Sequence, residues 1–208
     1  MAIFVMGNLG SGKSTLVGGL EREIPGSIVI NERFKENPLL RPFTSNPSRY
    51  SLSLQMMFLV DYIMAWEARP RDKSEQTTLV DAGVWTNLYV FTRAMVDRGL
   101  MTLDNYSDFM AIATSIIATV RYPEPDIVVH VTTLPKTCLT QIKDRGRDFE
   151  QSISLDYLKT LDALLWQMNT QYRGRGKMVI TVNNEKLDVR SEKTAKIIAQ
   201  AILERQSV

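Results

Sequence analysis

Residues Gly7-Asn8-Leu9-Gly10-Ser11-Gly12-Lys13-Ser14 satisfy G-x-x-x-x-G-K-[ST] in full. This string restricts the fold because it works only where a strand ends and a helix begins. The flanks fit: Ala2 to Met6 is a short apolar run and Ser14 to Glu23 has helical spacing. Glycines let successive backbone N–H groups turn inward toward phosphate oxygens, and the helix that follows adds the positive end of its dipole. Lys13 is then placed to neutralise β and γ phosphates, and the Ser14 hydroxyl to ligate Mg²⁺. The expected cofactors are therefore ATP, or a related nucleoside triphosphate, and Mg²⁺. Gly7, Asn8, Leu9, Gly10, Ser11, Gly12, Lys13, Ser14 and Thr15 form the expected binding segment.

The remaining chain alternates strand and helix. Ser27–Asn31, Thr77–Asp81, Asp126–Thr132 and Lys177–Val182 read as further buried strands, rich in β-branched residues. Tyr50–Glu67, Val84–Gly99 and Leu103–Val120 read as helices, and the Pro, Ser and Asn-rich stretch 37–48 as a surface loop or short helix. This order predicts an α/β, three-layer P-loop NTPase fold, a five-stranded parallel sheet with helices on both faces. Ligands of such sheets lie beyond the carboxyl ends of the strands. Asp81 ends the third strand and is the expected second Mg²⁺ residue; a helix N-cap is its other reading.

At 208 residues the chain is expected to form one domain over 1–208. Its 25 basic and 23 acidic residues are interspersed, so no tail or patch advertises nucleic-acid binding. Cys138 stands alone and cannot form an intramolecular disulfide. The N-terminus lacks the basic and small-residue features of a secretory signal, and no apolar run approaches the roughly 20 residues that span a bilayer. No membrane association and a cytoplasmic location are the expectations. His130 lies between valines inside a strand and reads as structural; Met56, Met57 and Met64 read as core packing.

Several segments together resemble the deoxyribonucleoside kinase family, across nearly the whole chain. They are the phosphate loop, N-E-R-F-K-E-N-P-L-L at 31–40, Y-S-L-S-L-Q at 50–55, D-A-G-V-W-T-N-L-Y-V-F at 81–91 and R-G-R-D-F-E-Q-S-I-S-L-D-Y-L at 145–158. The resemblance implies that Glu32 is the general base for a substrate 5′-hydroxyl. It implies that Gln55 reads the nucleobase edge, that Phe91 stacks on the base, and that Glu150 contacts the sugar 3′-hydroxyl. Arg145 and Arg147 match a lid, approximately 141–155, that closes over the triphosphate. Read from their surroundings alone, Glu32 is a loop carboxylate, Gln55 an exposed helix glutamine and Phe91 a core residue.

The sequence departs from the family in three places. Ala82 and Gly83 follow Asp81 where the family has an arginine after its acid, and Tyr62 and Asn87 take the positions of a base-reading arginine and aspartate. Asn87 is accordingly a candidate substrate residue. The function expected is transfer of a phosphoryl group to the 5′-hydroxyl of a deoxynucleoside. Two other readings stand beside it. One is a P-loop kinase acting on a nucleoside monophosphate or a modified nucleoside or nucleotide, with Ala82 making room for the acceptor. The other is a catalytically silent nucleotide-binding subunit. A small-molecule nucleoside or nucleotide is the expected partner, and helix 104–120 could also face a second copy in a homodimer.

Overall fold

In the computed structural model, which describes residues 1–32, 37–70 and 76–206, five parallel strands run in the order β2-β3-β1-β4-β5. They are β1 (Ala2–Gly7), β2 (Ile28–Ile30), β3 (Thr78–Asp81), β4 (Ile127–Thr132) and β5 (Met178–Asn183). The apolar runs read from the sequence are these strands, within a residue or two at their ends. Their continuous hydrophobicity has a simple cause, since both faces are covered. Ile3 and Val5 of β1 pack with Leu16 and Leu20 of α1 (Lys13–Glu23) and with Ile198 and Ile202 of α9 (Glu192–Gln206). Phe4 faces the other way, into a cluster with Leu59, Tyr62, Val84 and Phe109. Met6 joins Leu161 and Leu165 of α8 (Leu155–Gly174) on that same side.

Two further helices, α2 (Leu40–Ser45) and α3 (Pro47–Glu67), follow β2. The long helix begins three residues earlier than its hydrophobic spacing indicated, because Asn46 caps it by accepting from the Arg49 N–H and Pro47 occupies its first turn. Beyond β3 come α4 (Gly83–Thr86), a π-helical segment Asn87–Thr92 and α5 (Arg93–Asp97), in one continuous run. In the π segment the Thr92 hydroxyl donates to the Asn87 carbonyl at 2.8 Å. The wider turn presents Asn87 and Phe91 to the same side.

The helix α6 (Leu103–Val120) buries Phe109, Ala113 and Ile117, whereas Leu103 and Ile112 are exposed. One core expectation is corrected on α3: Met64 is 63% exposed, while Met56 packs against the core at partial burial. Position 64 falls on the outer stripe, between Ile63 and Trp66, which point inward. Among the described residues, no helix is long and apolar enough to cross a membrane.

Candidate active site

The strand order decides which residues meet. The phosphate loop leaves β1, and β3 lies beside β1 with Val5 opposite Asp81. Strand β2 lies beside β3, so its continuation through Asn31 and Glu32 emerges at the same carboxyl edge. Three loops distant in sequence thus open into one cavity of about 820 Å³, lined among others by Lys13, Ser14, Glu32, Asp81, Gln55 and Asn87.

In the phosphate loop, Gly10 and Gly12 have φ of 75° and 91°, which L side chains rarely adopt. A Cβ on Gly10 would lie 2.7 Å from the Cys138 carbonyl oxygen, and one on Gly12 would lie 2.6 Å from Val189 Cγ2. Glycine is therefore required by space as well as by angle. Leu9, Gly10, Lys13, Ser14 and Thr15 line the cavity. Asn8 is turned away: its side-chain amide donates to the Leu158 carbonyl at 2.8 Å and so fastens the loop to α8. Ser11 is buried, and its carbonyl accepts from Thr133 and Asn184. Gly7 is held close to Val131 of β4.

The Ser14 hydroxyl donates to Asp81 Oδ2. The other carboxylate oxygen, Oδ1, is buried with no hydrogen-bond partner. A hydroxyl and an orphaned carboxylate oxygen beside a phosphate-binding loop fit a hard divalent cation that takes its other ligands from water and phosphate. No larger cluster of His, Cys, Asp or Glu suited to a metal occurs among the described residues. Ser14 and Asp81 are the residues that could hold such a cation.

Glu32 lines the same cavity. Burial holds its carboxyl above the ordinary carboxylate range; Asp81 adds to the rise, while Lys13, a hydrogen bond from Tyr62 and Arg145 pull it back. A carboxylate raised in this way is a better proton acceptor near neutral pH. The flanking Arg33, Lys35 and Glu36 lie outside the described residues.

Deeper in, Asn87 Nδ2 donates to Gln55 Oε1 at 2.6 Å, and both residues are buried. Asn87 Oδ1 is left without a partner. Gln55 is thus no exposed helix glutamine. Phe91, half-buried, lines the cavity and also packs against the apolar cluster around Met6. Tyr157 and Arg98, for which sequence reading offered no candidate role, line the cavity as well, with the guanidinium 4.9 Å from the ring centroid. Tyr157 lies within the 145–158 segment that carries the resemblance, and Arg98 had no signal beyond its charge.

The arginines sit where α7 (Pro135–Arg145) ends. Gly146 turns left-handed at φ 63°, and a 3-10 turn, Asp148–Glu150, follows. Glu150, 6% exposed, takes Arg145 through two hydrogen bonds of 2.7 and 2.6 Å and lies 3.5 Å from Arg147. Glu150, the acid expected at the sugar, is thus the group that holds both cations among the cavity residues.

The parallel sheet, the phosphate loop and the carboxylates at its edge define a P-loop phosphotransferase. The model of the family described as deoxynucleoside kinase matches residues 3–204, and the chain belongs to that family. A deoxyguanosine kinase of Dictyostelium discoideum is 29% identical over 183 residues, which is 87% of this chain and 63% of that protein's length. A deoxyadenosine/deoxycytidine kinase of Bacillus subtilis (strain 168) is 26% identical over 178 residues, 82% of this chain and 74% of that protein. A solved structure of the deoxyadenosine kinase from M. mycoides with bound dATP has a TM-score of 0.81 at 22% identity, covering 98% of this chain and 100% of that one.

Proposed function

We propose that the chain transfers the γ-phosphoryl group of ATP to the 5′-hydroxyl of a deoxynucleoside. The observation that carries this is one cavity lined by Lys13, Ser14 and Asp81, by Glu32 and by the mutually bonded Gln55 and Asn87. A Mg²⁺ ion held by Ser14 and Asp81 would supply charge neutralisation across the phosphates. Lys13 and the loop amides bind and orient the triphosphate, and Arg145 and Arg147, on a lid over approximately 141–155, offset charge on the transferred group. Glu32 accepts the proton of the attacking hydroxyl.

The base would stack on Phe91 and present its edge to the amide pair. As the amides lie, Gln55 Nε2 offers a donor and Asn87 Oδ1 an acceptor. The nucleoside monophosphate alternative lacks such support: of the cations lining the cavity, Lys13, Arg145 and Arg147 are assigned to the triphosphate and Arg98 lies over the Tyr157 ring.

The test is incubation with ATP, Mg²⁺ and each of the four deoxynucleosides, with ADP and the 5′-monophosphate as products. Lys13→Ala should abolish both products while leaving thermal stability within a few degrees, because the loop folds without the lysine but the phosphates need its charge. Absence of product with every deoxynucleoside overturns the proposal.

A further inference from the structure

Both carboxylate oxygens of Glu150 are engaged by one guanidinium. Arg145 Nε donates to Oε2 at 2.7 Å and Arg145 Nη2 donates to Oε1 at 2.6 Å, a two-point contact between planar groups. Arg147 Nη1 lies 3.5 Å from the same Oε1. Glu150 is buried, and both of its cations come from the stretch of chain just before it.

The pairing is possible because the chain reverses there. At the end of α7, Gly146 takes the left-handed conformation after Arg145, and the Glu150 N–H closes a turn onto the Arg147 carbonyl at 3.0 Å. Since both partners flank one turn, the pair does not tie that turn to the sheet. Its effect is on the guanidinium: a long, rotamer-rich side chain is reduced to one orientation.

The edge that is used decides what remains. A guanidinium has five N–H donors, of which Nε–H and one Nη2 proton form the side edge. Glu150 occupies that edge, so the end edge, with Nη1 and the second Nη2 proton, is a further two-point site for oxygen acceptors. Arg145 lines the cavity with Lys13 and Ser14, and its charge reaches Glu32, whose carboxyl it draws down. No cation immediately follows Asp81, where Ala82 and Gly83 stand, so the orientation of Arg145 matters the more.

We propose that Glu150 is the positioning residue of Arg145: by occupying the side edge of the guanidinium it presents the end edge to the oxygens of the transferred phosphoryl group. This rests on the deoxynucleoside kinase reading, in which Arg145 offsets charge on that group. Glu150 then serves two ligands at once, since each carboxylate oxygen has two lone pairs and a sugar hydroxyl can donate to one that Arg145 does not use. The two roles part in the kinetics. A sugar contact made equally in ground and transition states shows in the acceptor KM, whereas an oriented cation that meets charge developing in the transition state shows in kcat.

The experiment removes the sugar contact from the acceptor. Wild type and Glu150→Gln are compared with the best of the four deoxynucleosides and with its 2′,3′-dideoxy counterpart, for kcat, acceptor KM and ATP KM. Glutamine keeps the shape but turns an NH₂ group toward the guanidinium, so the two-point contact is lost. With both acceptors kcat should fall about tenfold, the size of effect that a hydrogen bond to a charged group supplies. The acceptor KM should rise only where the 3′-hydroxyl is present. In an Arg145→Met background the Glu150→Gln change should lower kcat no further, because the group it positions is gone.

An unchanged kcat with the dideoxynucleoside overturns the proposal and leaves Glu150 as a sugar ligand only. An equal fractional loss of kcat with and without Arg145 also overturns it, being the mark of a merely structural carboxylate. Where the wild type does not turn over the dideoxynucleoside, the Arg145→Met comparison on the deoxynucleoside decides alone. A wild type inactive toward every deoxynucleoside removes the kinase reading itself, and the positioning role with it. If Glu150→Gln fails to fold, Glu150→Asp replaces it: the charge stays, the reach is shortened, and kcat should again fall with both acceptors, an unchanged value overturning the proposal.

Discussion

Asn87 and Gln55 are bound to each other through groups that can exchange roles. If both amides turn over, Gln55 Nε2 donates to Asn87 Oδ1 across the same 2.6 Å, and Thr92 Oγ1, 3.5 Å from Gln55, can accept as well. The faces left for a base are then one donor and one acceptor in the opposite order. A carboxylate at position 87 removes this freedom. It accepts only, so Gln55 must donate to it, and two acceptors are left facing the base. Asn87→Asp should therefore favour a base edge with adjacent N–H donors, as in guanine, over one that alternates donor and acceptor, as in adenine. The ratio of kcat/KM for deoxyguanosine to that for deoxyadenosine should rise about tenfold over the wild type, as a site rejects a base that leaves its buried polar groups unpaired. An unchanged ratio would mean that this pair does not face the base. Position 87 was a candidate from the segment around it, and Asn87 does line the cavity. The pairing with Gln55 was not legible, because residues 32 apart in sequence meet only once α3 and the π segment have packed.

The turn between β3 and α4 is the element where sequence reasoning and structure diverge most. From the sequence, Ala82 is a missing cation and an enlarged acceptor site. In the fold its methyl is 1% exposed, packs in the cluster with Phe4 and Val84, and does not line the cavity. Nothing in the residue order could reveal this, because the direction of the methyl follows from a positive φ that no alanine announces. Position 83 tells the same story in reverse: a Cβ there would lie 2.7 Å from the Phe4 ring, so glycine is required. Ala82→Arg should thus act on the fold, placing a guanidinium among apolar side chains at a cost of about 3 kcal/mol or more. The melting temperature and ATP affinity should fall together with turnover. Loss of acceptor activity in a protein of unaltered stability would instead restore the reading in which alanine makes room for the acceptor. Ala82→Gly relieves strain of about 1 to 3 kcal/mol and gives up a buried methyl worth about 0.8 kcal/mol. It also admits a more flexible unfolded chain, so the melting temperature should shift little. The start of α3 was misplaced by three residues for a simpler reason: hydrophobic spacing begins at Tyr50, whereas the helix is started by the cap Asn46 and the first-turn proline Pro47.

For the molecule as a whole, one buried network ties the sheet to its covering helix and sets how stability responds to acid. His130 of β4 is 1% exposed, with Nδ1 2.9 Å from Asn169 Nδ2 of α8. Arg173, one turn on, donates to Asn169, to Thr181 of β5 and to the Val179 carbonyl. Two strands and a helix thus meet at an imidazole that must stay neutral. Burial pushes its pKa down from 6.5 to about 4, and the Arg173 cation works in the same direction. The sign follows from which state takes the proton first. Below pH 6.5 the unfolded chain binds a proton at His130 while the native protein refuses it, so stability falls as the pH is lowered. The loss runs from about pH 6.5 to about pH 4. Below that the native imidazole is protonated too, and this residue contributes no further change. Its full size is about 3 kcal/mol, an appreciable part of the stability of an ordinary domain. Urea unfolding at intervals between pH 7 and pH 4 measures it, with His130→Gln as the reference: the side chain is neutral throughout and can still accept from Asn169. Carboxylates elsewhere titrate alike in both proteins, so the difference between the two stability curves isolates the imidazole. That difference should change by about 3 kcal/mol over the window, with the wild type losing more. Parallel curves would mean that the native protein accommodates a charged imidazole in this network.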